Sequence, residues 1–321
     1  MPYFLCTRVN PTTFVIVEND KYAEHPFIYV KIYANLVVLS DTGCGGSADA
    51  SRPSESTLRH FIETSPVVAN GRRPLNPREE DGKPSKRYLV ICTHCHYDHI
   101  LGLSQFTDVD PVILASLQGK SFIEENLPEH SLCHFLGIST PKYIVSYWAK
   151  DYEKMLFNKA SLELQIIATP GHTPDELAWY DEQERHLYVG DSFYERMAKD
   201  KSYEQAVIFP KEGSIVEYMD SLRKLLSFVD KKNMEPDKPL IRIGCGHVTS
   251  SVDGKEILLA VQRFFQDVIA GLIPVKQVSE RRGEEVNLWQ DSGEPRFSLS
   301  APKRLVVDAR KHLAIVLPVE Q

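Results

Sequence analysis

Thr93-His94-Cys95-His96-Tyr97-Asp98-His99 packs three imidazoles and a carboxylate into seven residues, directly after the buried-type strand run Arg87–Cys92. In an extended segment, residues two apart face the same way. His94 and His96 are therefore placed to grip one ion, and the turn after them lets Asp98 and His99 face a second. Neutral imidazole and carboxylate suit Zn²⁺, and also Fe or Mn, better than they suit Ca²⁺. Cys92-Thr93-His94-Cys95 is formally a CxxC, but no second CxxC completes a zinc site and the histidine cluster accounts for the segment better. Cys95, lying between two candidate ligands, is expected to turn to the opposite face and pack.

Working outward, the pattern of a strand followed by a polar turn recurs. Leu162–Ala168 runs into Pro170-Gly171-His172, Leu187–Val189 into Gly190-Asp191, and Leu240–Ile243 into Gly244-Cys245-Gly246-His247. Upstream, the β-branched and aromatic runs Thr13–Glu18, Phe27–Ile32 and Leu36–Leu39 are separated by turn residues, as in an antiparallel meander. Ser40-Asp41-Thr42-Gly43 follows the last of them.

His-x-His-x-Asp-His after a buried strand resembles the signature of the metallo-β-lactamase superfamily. Thr169-Pro170-Gly171-His172, Gly190-Asp191 and Gly246-His247 resemble that family's remaining motifs in order, and Asp41 matches its early aspartate. The resemblance runs from about Phe14 to His247 and implies an α/β fold, the four-layered αββα sandwich. Strands and helices in this order agree with sheets covered by helices.

Carried over position by position, the resemblance implies that His94, His96 and His172 hold one metal. Asp98, His99 and His247 would hold the other, Asp191 would bridge the two, and Asp41 would brace the ligands from behind. The implied cofactor is two Zn²⁺, with Fe or Mn as alternatives. The all-His/Asp set resembles glyoxalase II and the acyl-homoserine lactonases more than lactamases with a cysteine ligand. The likeness extends to fungal lactamase-like proteins, although no separate motif carries that part.

The implied activity is opening of a small lactone or lactam ring by attack of a metal-bridging hydroxide on the carbonyl, with Asp98 steering the hydroxide and passing a proton to the leaving group. Tyr194, three residues after Asp191, resembles a lactonase tyrosine that donates a hydrogen bond to the substrate carbonyl, and it is a second candidate catalytic residue. The alternatives are thioester hydrolysis, of the glyoxalase II or polyketide-pathway type, and non-haem iron oxidation as in persulfide dioxygenases.

The formal charge of −7, from 37 basic and 44 acidic residues, argues against a nucleic-acid partner. A small-molecule substrate is expected instead. The amino terminus has no basic segment leading into an apolar run, and no apolar stretch approaches the ~18 residues of a membrane span. Six cysteines with no paired framework read as reduced thiols of a cytoplasmic protein.

A single domain over residues 1–321 is expected, with surface insertions near 47–86 and 104–160 over the metals. The second insertion contains Phe122, Phe135, Tyr143, Tyr147 and Trp148, a candidate apolar wall. The charged stretch Gln277 to Pro295 reads as a solvated loop. Ser214 with Glu217 and Asp253 with Glu256 open two amphipathic helices. Arg304–Val307 and Leu313–Leu317 read as closing strands. His130 and His134, four apart, read as a surface helix, and His25, His60, His186 and His312 as isolated.

Overall fold

The β-branched runs before the histidine cluster form one sheet because their side chains can be buried on both faces of it. The computed structural model describes residues 3–46, 57–198, 203–291 and 296–312. The chain divides into two compact units, Met1–Glu153 and Lys154–Gln321.

In the first unit, β1 (Phe4–Arg8), β2 (Thr13–Glu18), β3 (Phe27–Ile32) and β4 (Leu36–Ser40) make the expected antiparallel meander. The sheet continues with β5 (Arg87–Ile91), β6 (Val112–Ser116) and β7 (Tyr147–Ala149), each parallel to its neighbour. Residues 104–160, expected as a surface insertion, thus contribute β6 and β7 to the sheet itself. Ser40 pairs with Ile91, so the chain leaves β4 and β5 side by side at the carboxyl ends of parallel strands. Open α/β sheets commonly bind ligands at such ends.

The helices of this unit are α1 (Leu58–Thr64), α2 (Tyr97–Ile100), α3 (Lys120–His130) and α4 (Cys133–Leu136). His130 and His134 do not share a helix. His130 closes α3 and stacks on Phe122, Leu132 adopts a left-handed φ of 64°, and His134 falls in α4. Phe122, Tyr143 and Trp148 pack against the core cluster, so the proposed aromatic wall is largely used up in packing. The described part of the 47–86 insertion is anchored by the buried Glu63, whose carboxylate pairs with Arg59 and Arg78 at 2.7 Å each and accepts from the Tyr88 hydroxyl.

The second unit holds two sheets. The first comprises β8 (Lys154–Phe157), β9 (Ala160–Ala168), β10 (Leu177–Asp181), β11 (His186–Tyr188), β13 (Arg242–Gly244) and β14 (Val252–Asp253) in the order β14-β13-β11-β10-β9-β8. The other comprises β12 (Val207–Ile208), β15 (Val275–Arg281), β16 (Glu284–Gln290) and β17 (Ser298–Pro302) in the order β12-β17-β16-β15. Strands β9 and β11 both run antiparallel to β10, and β13 runs parallel to β11. All three strands therefore end at the same edge.

Both expected N-caps form. Ser214 Oγ accepts from the Glu217 amide at the start of α5 (Ile215–Asn233), and Asp253 Oδ1 from the Glu256 amide at the start of α6 (Gly254–Ala270). Two expectations are corrected. The charged stretch 277–295 is not a loop, since its described residues form most of the β15–β16 hairpin. Arg304–Val307 lies in the helix α7 (Lys303–His312), where Leu305, Val306 and Ala309 face the core at helical spacing. Packing of that face outweighs the strand preference of Val306-Val307. The Leu313–Leu317 strand lies outside the described residues.

Candidate metal centre

Buried His and Asp side chains that could hold a metal ion occur in both units: His94, His96, Asp98 and His99 in the first, and His172, Asp191 and His247 in the second. Every one of them follows the carboxyl end of a strand, as the sequence motifs required.

In the first unit the bracing begins at Asp41. The Asp41 amide donates to Ile91 O at 2.9 Å, which stitches the end of β4 to the end of β5. Its Oδ1 accepts from the Thr93 amide at 2.8 Å, and its Oδ2 accepts from the Thr93 hydroxyl at 2.8 Å and from His99 Nδ1 at 2.9 Å. With its proton given to Asp41, the Thr93 hydroxyl can only accept from His94 Nδ1, 3.1 Å away. The chain therefore protonates Nδ1 of both His94 and His99 and leaves each Nε2 with a lone pair. Carboxylates and hydroxyls commonly fix a ligand histidine's tautomer in this way.

Three pairs of donor atoms then stand at telling distances. His94 Nε2 lies 3.0 Å from His96 Nδ1, His99 Nε2 lies 3.4 Å from Asp98 Oδ2, and His247 Nε2 lies 3.3 Å from Asp191 Oδ2. The two nitrogen–oxygen separations exceed the usual 2.7–3.2 Å of an N–H···O bond. They match the edge of a tetrahedron with ~2.0–2.1 Å arms, roughly 3.3 Å. The donor set thus fits a zinc-type ion in chemistry and in spacing.

In the second unit, α5 fixes the turn that carries His172. The Ser214 amide donates to Gly171 O at 2.7 Å, Ser221 Oγ to Pro170 O at 2.7 Å, and Lys224 Nζ to Ala168 O at 2.7 Å. Asp191 and His247 leave the parallel strands β11 and β13 together, with the Gly246 amide donating to Gly190 O at 2.5 Å. A Cβ at Gly246 would lie 2.2 Å from Asp191 Oδ1, so only glycine lets the carboxylate lie against the backbone there.

Neither cysteine near the ligands joins them. Cys95 packs into the first unit's core, as alternation predicted, and Cys245 into the second's. Burial pushes the Cys245 thiol well above its ordinary pKa, and the nearby charges of Glu195 and Asp191 add to the shift.

The hydroxyl of Tyr194, the second candidate catalytic residue, bonds to the backbone in this structure. It donates its one proton to Ala206 O at 3.0 Å, and the Tyr194 ring stands 5.2 Å from that of His247. Here the side chain braces the β12 approach. Sequence reasoning missed Thr93 and Glu18. Glu18, wholly buried at the end of β2, accepts from the Cys44 and Gly46 amides at 2.6 Å each, and a Cβ at Gly43 would lie 2.0 Å from its Oε2. Burial raises its pKa to about 8 against the lowering pull of those two amides. The glycine-rich run Gly43-Cys44-Gly45-Gly46 was the available signal, because it marks a loop that wraps closely around something.

The model of the metallo-beta-lactamase superfamily matches residues 27–247. This chain belongs to that superfamily. Over 317 residues it is 31% identical to the "Putative transcription factor avaE" of Aspergillus versicolor, covering 96% of this chain and 88% of that protein. It is also 26% identical over 161 residues to the hydroxyacylglutathione hydrolase of Bartonella tribocorum, covering 50% of this chain and 48% of that enzyme. Among solved structures, the metallo-beta-lactamase from Pontibacter korlensis superposes with a TM-score of 0.54 at 14% identity, covering 82% of this chain and 99% of that one. At that identity the likeness speaks for the fold alone. The expected α/β metallo-β-lactamase sandwich is therefore the fold of this superfamily member, and the family is generally one of hydrolytic metalloenzymes that bind divalent metals.

Proposed function

We propose that this superfamily member is a binuclear metal-dependent hydrolase of small carboxyl derivatives. His94, His96 and His172 would hold one ion, and Asp98, His99, Asp191 and His247 the other, with Asp191 shared. The observation that carries the reading is the set of donor pairs at 3.0, 3.4 and 3.3 Å, each built within a single unit on a braced strand end. When bound, such ions lower the pKa of water towards ~7 and polarise a carbonyl. The chain's own part is to orient the imidazoles through Asp41 and Thr93. Asp98, the carboxylate between His96 and His99, is the candidate to take and return a proton.

Opening of a lactone or lactam ring and cleavage of a thioester draw on the same machinery. Ring opening rested on Tyr194, whose hydroxyl is engaged with Ala206 O. The partial likeness to an enzyme named for hydrolysing an acylated glutathione supports the thioester reading on equal terms. The name of the Aspergillus relative would suggest DNA, but 37 basic against 44 acidic residues offer no excess of positive charge for phosphates. We therefore favour a small molecule as the partner, in place of nucleic acid or a membrane. Among the described residues no helix is long and apolar enough to cross a membrane.

The test compares kcat/KM for homoserine lactones, benzoxazolinone-like lactams, β-lactams and acyl thioesters at equal metal loading. Metal-dependent turnover of one class at least tenfold above the rest, ~1.4 kcal/mol in transition-state binding, supports the reading and names the bond. No turnover in any class, with oxygen consumed by the iron-loaded protein, would replace it by the dioxygenase alternative.

A further inference from the structure

A cavity of about 800 Å³ lies in the first unit, beside the helix that carries Asp98 and His99. Its apolar floor belongs to a small cluster in which Tyr22, Cys44, Leu101 and Ile138 pack around Tyr97, the residue between His96 and Asp98. Its polar side chains are Lys21, Lys142 and the hydroxyls of Ser104, Thr107, Ser139 and Thr140, with no carboxylate among the described lining residues.

Asp98, Glu18, Asp20 and Glu24 lie near enough to act electrostatically on Cys44, but the last three already accept hydrogen bonds from the surrounding chain. Asp20 caps its own turn by accepting from the Tyr22 amide at 2.7 Å and the His25 amide at 2.8 Å, Glu24 accepts from the Tyr97 hydroxyl, and Glu18 takes the Cys44 and Gly46 amides. The Asp20 turn also holds Lys21 in place, with its ammonium 4.9 Å from the Tyr22 ring centroid. Ligand sites commonly combine an apolar floor with a few placed polar groups in ~300–1,000 Å³.

We propose that this cavity binds the carboxylate-bearing part of the substrate. The substrate is thus an amphipathic organic anion, with its carboxylate at Lys21 and Lys142 and its apolar stem over Leu101 and Ile138. The inference builds on the hydrolase reading, but binding can be measured without turnover. Heptanoate and heptanamide share a stem and differ in charge. Each is titrated by calorimetry into the metal-loaded protein, into the Lys21→Met/Lys142→Met double variant, and into Lys238→Met, which removes an exposed charge outside the cavity.

Heptanoate should bind the parent about tenfold more tightly than heptanamide, two screened ion pairs being worth roughly that. The gap should close in the double variant, persist in Lys238→Met, and shrink in high salt. Equal affinities for the two probes overturn the proposal, as does a gap that survives in the double variant, since the carboxylate would then sit elsewhere, for instance on the metals. In kinetics, the double variant should raise KM for a thioester with a terminal carboxylate more than for its methyl ester. Failure of the hydrolase reading would show as no turnover of any substrate while the charge-dependent binding remained.

Discussion

Asp41 Oδ2 accepts from His99 Nδ1 at 2.9 Å while the Asp41 backbone is held at a φ of 64°. A left-handed non-glycine residue is uncommon, and aspartate is among the few that tolerate it. The cost is met by four hydrogen bonds that join Asp41 to Ile91, Thr93 and His99. Asp41→Asn keeps the size of the side chain but loses the charge that holds Nδ1 protonated. Zinc affinity, read by competition with a chromophoric chelator, should fall ~10–100-fold. An affinity within threefold of the parent would show that the brace does not act through His99.

Gly246→Ala tests the second unit in the same way. The new methyl would lie 2.2 Å from Asp191 Oδ1, so the carboxylate must move. A displacement of about 1 Å at such a group can cost on the order of 10²-fold in kcat. Metal content and kcat should fall together while the circular dichroism spectrum stays that of the parent. Full metal occupancy with unchanged kcat would show that Asp191 can shift without consequence.

Tyr194→Phe should cost about 1 kcal/mol of stability, the net worth of one hydrogen bond to Ala206 O. The kcat on the best substrate should stay within about twofold. A hydroxyl that stabilised a developing oxyanion would instead cost on the order of 10²-fold, and a loss of that size would restore Tyr194 to the catalytic set.

His186 sets a pH dependence. It is 2% exposed and stacks on Tyr188, and burial, reinforced by the Arg242 charge, lowers its pKa to about 3. The folded protein therefore keeps it neutral while the unfolded chain protonates it near its usual pKa of ~6.5. Its contribution is intact above that value and is lost as pH falls from about 6.5 towards 3, by up to about 1.4 kcal/mol per pH unit. His186→Phe preserves the stack and removes the proton. Urea unfolding of the variant at pH 7, 6, 5 and 4 should show a flatter decline than the parent. Parallel declines would mean that another group carries the acid sensitivity.

The candidate ligands were legible because each sits where a buried strand stops, and a polar cluster at that place has few structural explanations. The bracing was only half legible. Asp41 was visible as a motif, whereas Thr93 and Glu18 act through hydrogen bonds between segments far apart in sequence, which no local pattern encodes. The misread elements share another cause. Every residue of β15 except the partly buried Ser279 is exposed, so it shows no alternation, and its register comes from its ladder with β16. Helix α7 is decided by what Leu305, Val306 and Ala309 pack against. Leu132, in a left-handed conformation with no glycine to announce it, separates His130 from His134.

The central proposal is a two-ion centre held by His94, His96, Asp98, His99, His172, Asp191 and His247, and metal stoichiometry tests it most directly. Protein prepared without chelators and saturated with zinc should contain close to two ions per chain by elemental analysis. Asp191→Asn should lower that figure, while His130→Ala and His134→Ala should leave it unchanged. A saturated value of one that added zinc does not raise, or metal loss in either histidine control, would contradict the account.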